Sequence, residues 1–322
     1  MHKDRQINTP NEALQLIKAQ ADQEVAPGIM ALSDAARACH GESVRAVLFY
    51  GSCLRTGDVH DGLADLYLLV DDYRSAFKGR TLAFFNQLLP PNVFYLEVQH
   101  QGHLIRAKYA VLTLDDFNKG VGGWFHSYLW GRFAQQCGLI YAQDEIVAEQ
   151  VHHALAAAVS TFFTKTLPHL DPGFTARDLW STGLSLSYRS EMRPEDADGA
   201  GRLFDRDPEY YQKLTDAVLS TGTYDVSVNS DVTPSCYQVD ITPGDRRLNW
   251  IGWRVRFLQG KVLSVLRLLK GLFTFKGGVD YILWKIDRHS GVRVEVGPSL
   301  KRIPPLAIVV IFWRLLRQGA FR

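Results

Sequence analysis

The chain has 322 residues, 46% hydrophobic and 22% charged, an ordinary globular composition long enough for two domains at roughly 150 residues each. No stretch approaches the ~20 uncharged apolar residues of a spanning helix, and Lys3, Asp4, Arg5 and Glu12 argue against a secretory signal or transit peptide. The net charge of +2 hides a segregation: Arg246 to Arg322 carries sixteen Lys/Arg against three acids, net +13, while the remainder is net −11. Such segregation points to an anionic partner, either nucleic acid or an anionic membrane surface.

In chain order, Leu14, Leu16 and Ile17 predict a helix over Asn11 to Gln23, and Ser33 to Cys39 a second piece after Pro27-Gly28. The β-rich run Val44 to Tyr50 stops at Gly51-Ser52, and a polar loop leads to a second strand, Ala64 to Val70. A helix over Arg80 to Leu89 ends at Pro90-Pro91. Strands Val93 to Val98 and Ile105 to Leu112 follow, separated by a turn at Gln101-Gly102. Leu114 to Gln136 reads as helix around a glycine-rich interruption, and a domain boundary is expected near residue 145. Helices are predicted over Ile146 to Phe163, over Thr175 to Ser187 with Thr175 as cap, and over Asp207 to Leu219. Ser220 to Gly244 reads as a loop or partly ordered linker. Trp250 to Phe273 reads as a basic amphipathic helix, with Leu258, Val262, Val265, Leu266 and Leu269 on one side.

Cys39, Cys53, Cys137 and Cys236 contain no C-x-x-C pair, and the ten histidines lack metal spacing, so neither zinc nor a disulfide framework is indicated. The informative segment is the strand ending in Gly51-Ser52, followed twelve residues later by Asp65 on a second strand. Gly51 has no Cβ, so a phosphate can approach the backbone, and Ser52 offers a hydroxyl and an N–H. Asp65 supplies a hard oxygen ligand for Mg²⁺. The plain alternative is a turn and a surface acid.

This arrangement resembles the nucleotide-binding signature of the DNA polymerase β-like nucleotidyltransferases, although Tyr67 stands where a second carboxylate is common. Further segments narrow the resemblance: Tyr50 to Ser52, Asp65 to Asp72, Ala107 to Thr113, Gly131-Arg132, Leu186 to Arg193 and Lys270 to Thr274. Together they are similar to successive motifs of the mitochondrial translocator-maintenance type of phosphatidate cytidylyltransferase, or CDP-diacylglycerol synthase, over residues 45 to 275. In that family, too, apolar residues follow the strand acid. The chain departs from it at Arg189-Ser190-Glu191, in place of a small residue, Gly and Asp, and at Gln135-Gln136, near a usual Lys-Pro.

The resemblance implies an α/β fold. A nucleotidyltransferase domain with a mixed sheet and flanking helices (1–145) would precede a mainly helical domain (146–240) and a basic amphipathic, membrane-associating region (241–322). It implies transfer of CMP from CTP to phosphatidic acid with Mg²⁺ by a peripheral membrane enzyme; the N-terminus, which does not read as a presequence, favours the cytoplasmic face of a bacterial inner membrane, with the matrix side if organellar. Asp65, Ser52 and Lys108 are the candidate catalytic residues; Tyr50, Gly51, Ser52, Lys108, Tyr188, Arg193 and Lys270 are candidates for binding nucleotide. Glu97 is the candidate second metal ligand beside Asp65, the alternative being an exposed acid. For Lys108 and Lys270 the alternative is a solvated face, and for Tyr188 and Arg193 it is packing and surface pairing. Arg132 either closes the site or pairs with Asp144 or Glu145. The aromatic and basic residues from Trp250 onward, and the segment Pro305 to Arg322, fit docking to an anionic lipid surface. The basic region would serve RNA equally well electrostatically, but no RNA-binding module is recognised, so nucleic acid is not favoured. A different phosphorylated lipid or RNA as acceptor, or a non-catalytic membrane-binding protein, are the competing readings.

Overall fold

The computed structural model describes residues 11–57, 62–191, 197–220, 226–229 and 235–274, with the single positions 279 and 297. Two compact units result, and they do not follow chain order: one takes Glu24–Leu114 and Leu266–Arg322, the other Met1–Gln23 and Asp115–Val265.

The first is an α/β unit. Its strands β1 (Val44–Tyr50), β2 (Ala64–Val70), β3 (Asn92–His100) and β4 (His103–Thr113) lie side by side in the order β3-β4-β2-β1. β1–β2 and β3–β4 are antiparallel and β2–β4 is parallel, which makes the sheet mixed. Six of the seven β2 residues are buried and Asp65 alone is half-buried, as a central strand covered on both faces requires. The β3–β4 hairpin turns at Gln101 and Gly102, both with positive φ, the pairing that a two-residue loop between right-twisted strands needs.

The helix Pro27–Ala38 covers this sheet with Ile29, Leu32 and Ala36. It begins six residues earlier than Ser33 suggests, because Pro27 sits at the first turn, where a missing N–H is no loss. The helix Arg80–Leu88 is pinned by buried amides: Asn86 Nδ2 donates to the Val111 carbonyl (2.9 Å), Asn86 Oδ1 accepts from the Asn92 N–H, and Asn92 Nδ2 donates to Leu82 (3.0 Å).

The second unit is mainly helical. Helix Glu145–Thr166 is capped by Asp144, helix Ala176–Ser190 by a Thr175/Asp178 capping box, and helix Pro208–Leu219 by Asp207. They meet around Trp180, stacked on Phe162 at 5.0 Å and donating its indole N–H to Thr215 (3.0 Å). A helix over Ala197–Arg206, a strand β5 (Gly138–Ala142) and a small sheet add to the expected elements. That sheet joins β6 (Gly173–Thr175), β7 (Val226–Asn229) and β8 (Cys236–Val239) in the order β6-β8-β7, where the sequence reads as loop from Ser220.

The longest element is the helix Pro243–Thr274, 32 residues. One face is anchored: Asn249 and the Trp253 indole both donate to the Lys165 carbonyl, Arg256 donates to Phe125, and Trp253 meets the Trp130 ring. Another face is bare. Ile251, Val255, Leu258, Val262, Val265, Leu266 and Leu269, at helical spacing, are between 45% and 68% exposed. No described helix is long and apolar enough to cross a membrane. The segment Pro305 to Arg322 lies outside the described residues.

Candidate active site

The strand register builds the site. Tyr50 of β1 stands opposite Asp65 of β2, Asp65 opposite Lys108 of β4, and Lys108 opposite Tyr95 of β3. Directly paired residues share a sheet face, so these four side chains form one row across the sheet. Lys108 Nζ lies 2.9 Å from Asp65 Oδ1, an ion pair without hydrogen-bond geometry, with both side chains partly accessible.

Immediately after β1 the chain reverses at Gly51 (φ +92°) into the five-residue helix Ser52–Thr56, with Ser52 exposed. A Cβ at position 51 would lie 2.8 Å from Asp65 Oδ2. The glycine therefore serves two needs at once: a backbone conformation that L side chains avoid, and open space beside the carboxylate. Tyr67, two residues beyond Asp65, is fully buried and packs on the Tyr50 ring at 5.3 Å. A carboxylate there would be stripped of water, a large penalty without a partner.

Glu97 stands on β3, two strands from Asp65. It accepts from the Tyr95 hydroxyl (2.7 Å) and pairs with Arg106 (3.2 Å). Burial, and then this carboxylate, push the Tyr95 hydroxyl well above the ordinary tyrosine range. The structure thus groups Glu97 with Tyr95 and Arg106. Among the described residues no three His, Cys, Asp or Glu side chains converge as a metal cluster. The residues still suit Mg²⁺ in a sparser way: one hard carboxylate beside space kept open by a glycine, since Mg²⁺ is commonly held by one or two carboxylates and the substrate's own phosphates.

Lys270 is not brought to this row. It is buried and donates to the carbonyls of Leu89 and Pro91 (2.7 Å to the latter), while Arg267 donates to Pro90. Those carbonyls precede Asn92, which pairs with Val111, three residues further along β4 than Lys108. Lys270 therefore sits toward the other end of the strands, on main-chain oxygens that leave it no solvated face. Burial, and then Arg267, lower its pKa to about 7.

The remaining candidates belong to the helical unit. Tyr188 is buried and donates its hydroxyl to Gln135 (3.1 Å). Arg132 is buried, lies over the Tyr128 ring and donates to Glu191 (2.8 Å), rather than to Asp144 or Glu145. Ser190 is buried against Ser127. The departures at Gln135, Ser190 and Glu191 thus have structural partners. Arg193 lies outside the described residues.

The family model of mitochondrial phosphatidate cytidylyltransferase matches residues 73–219. That span includes Glu97, Lys108, Arg132, Tyr188 and Arg193 and begins after Asp65. No curated protein matches the sequence. Among solved structures, a nucleotidyltransferase-like protein from Exiguobacterium sibiricum 255-15 is similar at 11% identity. The alignment covers 77% of this chain and 80% of that one, with a TM-score of 0.24. Over residues 73–219, somewhat less than half of its length, the chain is similar to the mitochondrial phosphatidate cytidylyltransferases, a family of nucleotidyltransferase enzymes.

Proposed function

We propose that the chain transfers CMP from CTP to phosphatidic acid, releasing pyrophosphate, at an anionic membrane surface. The observation that carries the reading is the Asp65 carboxylate beside the space left by Gly51, in a chain whose residues 73–219 match the family model of mitochondrial phosphatidate cytidylyltransferase. In this reading Gly51 and Ser52 admit the triphosphate to the backbone, and Asp65 holds Mg²⁺. An ion held there by Asp65 would supply charge neutralisation at the transferred phosphates. Lys108, ion-paired to Asp65, supplies a positive charge at the phosphates. The acceptor's phosphate oxygen is already a nucleophile at neutral pH, so the protein's part is positioning and charge stabilisation, with no covalent nucleophile required. Tyr188 and Lys270 support the two units from within.

The membrane surface enters through the long helix. Its stripe from Ile251 to Leu269 is exposed, while the face bearing Trp253 and Arg256 does the packing. Arg246, Arg247, Arg254 and Lys261 lie on the same helix, the mixture of apolar and basic side chains that binds an anionic interface.

The decisive experiment incubates the protein with phosphatidic acid vesicles, Mg²⁺ and each labelled nucleoside triphosphate in turn, following lipid-extractable label. Label from CTP that falls by about a hundredfold or more in Asp65→Asn is the expected result. No label from any nucleotide, or label that Asp65→Asn leaves intact, overturns the proposal.

A further inference from the structure

The helical unit holds a cavity of about 530 Å³ whose lining includes His169, Arg177, Thr182, Ser185, Arg189 and Arg202. Arg177, Ser185 and Arg189 are eight and four residues apart on the helix Ala176–Ser190, so they share one of its faces. Tyr188 is on a different face. Arg202 comes from the neighbouring helix Ala197–Arg206.

The cavity has an excess of positive charge. Arg177 is bidentate to Asp205, through Nε (2.8 Å) and Nη2 (2.9 Å). A Cβ on Gly201 would reach 3.0 Å from Arg177 Nη2, so the glycine lets this guanidinium lie against the second helix. That pair is neutral and ties one wall to the other. Arg189 and Arg202 have no acidic partner among the described residues; Arg189 lies over the Phe257 ring at 5.2 Å. Burial, and then the charge of Arg189, hold His169 below the ordinary histidine value. Two guanidinium groups with no acidic partner among the described side chains, and two hydroxyls, therefore face one concave space. Guanidinium forks match the geometry of phosphate oxygens, and hydroxyls add donors that a simple counter-ion site does not need.

We propose that this cavity of the helical unit binds a phosphate monoester. A lipid phosphate headgroup and a soluble phosphate share that chemistry. The proposal does not rest on the transfer reaction.

The test compares the wild-type chain with Arg189→Ala/Arg202→Ala, both exposed positions, after circular dichroism and urea unfolding confirm the fold. Two probes are used. Isothermal titration with inorganic phosphate should show affinity falling about tenfold or more in the double variant, since hydrogen bonds to charged groups are lost. Arg202→Ala alone should move it in the same direction by less. Flotation on phosphatidylcholine vesicles containing phosphatidic acid, or equal charge as phosphatidylglycerol, separates the sources. A headgroup site loses capture on the phosphatidic acid vesicles alone, whereas a soluble-phosphate site leaves both captures unchanged while the titration changes. A wild-type chain that takes up no phosphate, or a double variant that binds it as tightly as wild type, overturns the proposal.

Discussion

A methyl group at position 51 meets two obstacles, one in the backbone and one in the site. Left-handed strain alone is of order 1–3 kcal/mol, and the added carbon would lie 2.8 Å from Asp65 Oδ2. Gly57 (φ +69°) provides the comparison, with nothing within 4 Å of its virtual Cβ. Gly57→Ala should lose about 1–2 kcal/mol in urea unfolding and keep its transfer rate. Gly51→Ala should lose stability and also roughly a hundredfold in transfer, because the carboxylate or the phosphates must move. Equal transfer rates for the two variants would remove Gly51 from the site. Lys270 gives a pH signature. In the unfolded chain its pKa is near 10.5, against about 7 in the fold. Below about pH 7 it is charged in both states and the burial penalty is complete. Between these values the unfolded state binds more protons, so stability rises with pH, by at most about 1.4 kcal/mol per pH unit. Urea unfolding from about pH 6 to pH 9 should show this rise in wild type and a flatter profile in Lys270→Met. At this scale the sequence brings forward Gly51, Asp65 and Lys108 as candidates, because a strand end, a glycine and an acid are local signals, and the strand register sets Asp65 beside Lys108. It did not reveal that Lys270 faces Leu89 and Pro91, or that Glu97 is held by Arg106. Those partners are set by register and tertiary packing, which periodicity does not encode.

The helix Pro243–Thr274 shows two faces with different duties, and substitutions should separate them. At the packed face a Cβ on Gly260 would come 2.1 Å from the Ser190 carbonyl oxygen. Gly260→Ala should therefore cost about 1–3 kcal/mol through displacement of one helix from the other. Leu258→Glu/Val262→Glu, on the bare face, should leave urea unfolding within about 0.5 kcal/mol per site but abolish the salt-resistant part of flotation on anionic vesicles. Retention of that part would assign the stripe to something other than lipid. Elements with a strong local signature were the legible ones: Val44–Tyr50 and Ala64–Val70 emerge with their predicted bounds, and Thr175 caps its helix as its side chain suggests. Short strands were not. β7 and β8 are four residues each, within a Ser/Thr/Asp/Pro-rich stretch, and owe their pairing to one another and to β6. Amphipathic spacing marked the long helix as two-faced, but the same apolar residues suit a core or an interface, and only their exposure decides between them.

Across the whole molecule the charges are sorted: net −11 before Arg246 and net +13 from there on. An anionic membrane attracts one part of the chain and repels the other, so the charge pattern itself orients approach as well as adding affinity. Electrostatic and apolar contributions to docking respond differently to salt. Raising ionic strength from ~0.1 M to ~1 M shortens the Debye length from about 10 Å to about 3 Å and should remove most capture that depends on exposed Arg and Lys. Apolar insertion is not screened in this way and is, if anything, strengthened by excluded salts. Flotation on phosphatidic acid vesicles should therefore fall steeply with salt to a residual level, and Leu258→Glu/Val262→Glu should remove that residue. On neutral phosphatidylcholine vesicles, capture should be weak and nearly independent of salt. A capture curve on anionic vesicles that is flat in salt would mean that the basic C-terminal quarter does not face the lipid, leaving its charge to a partner of another kind.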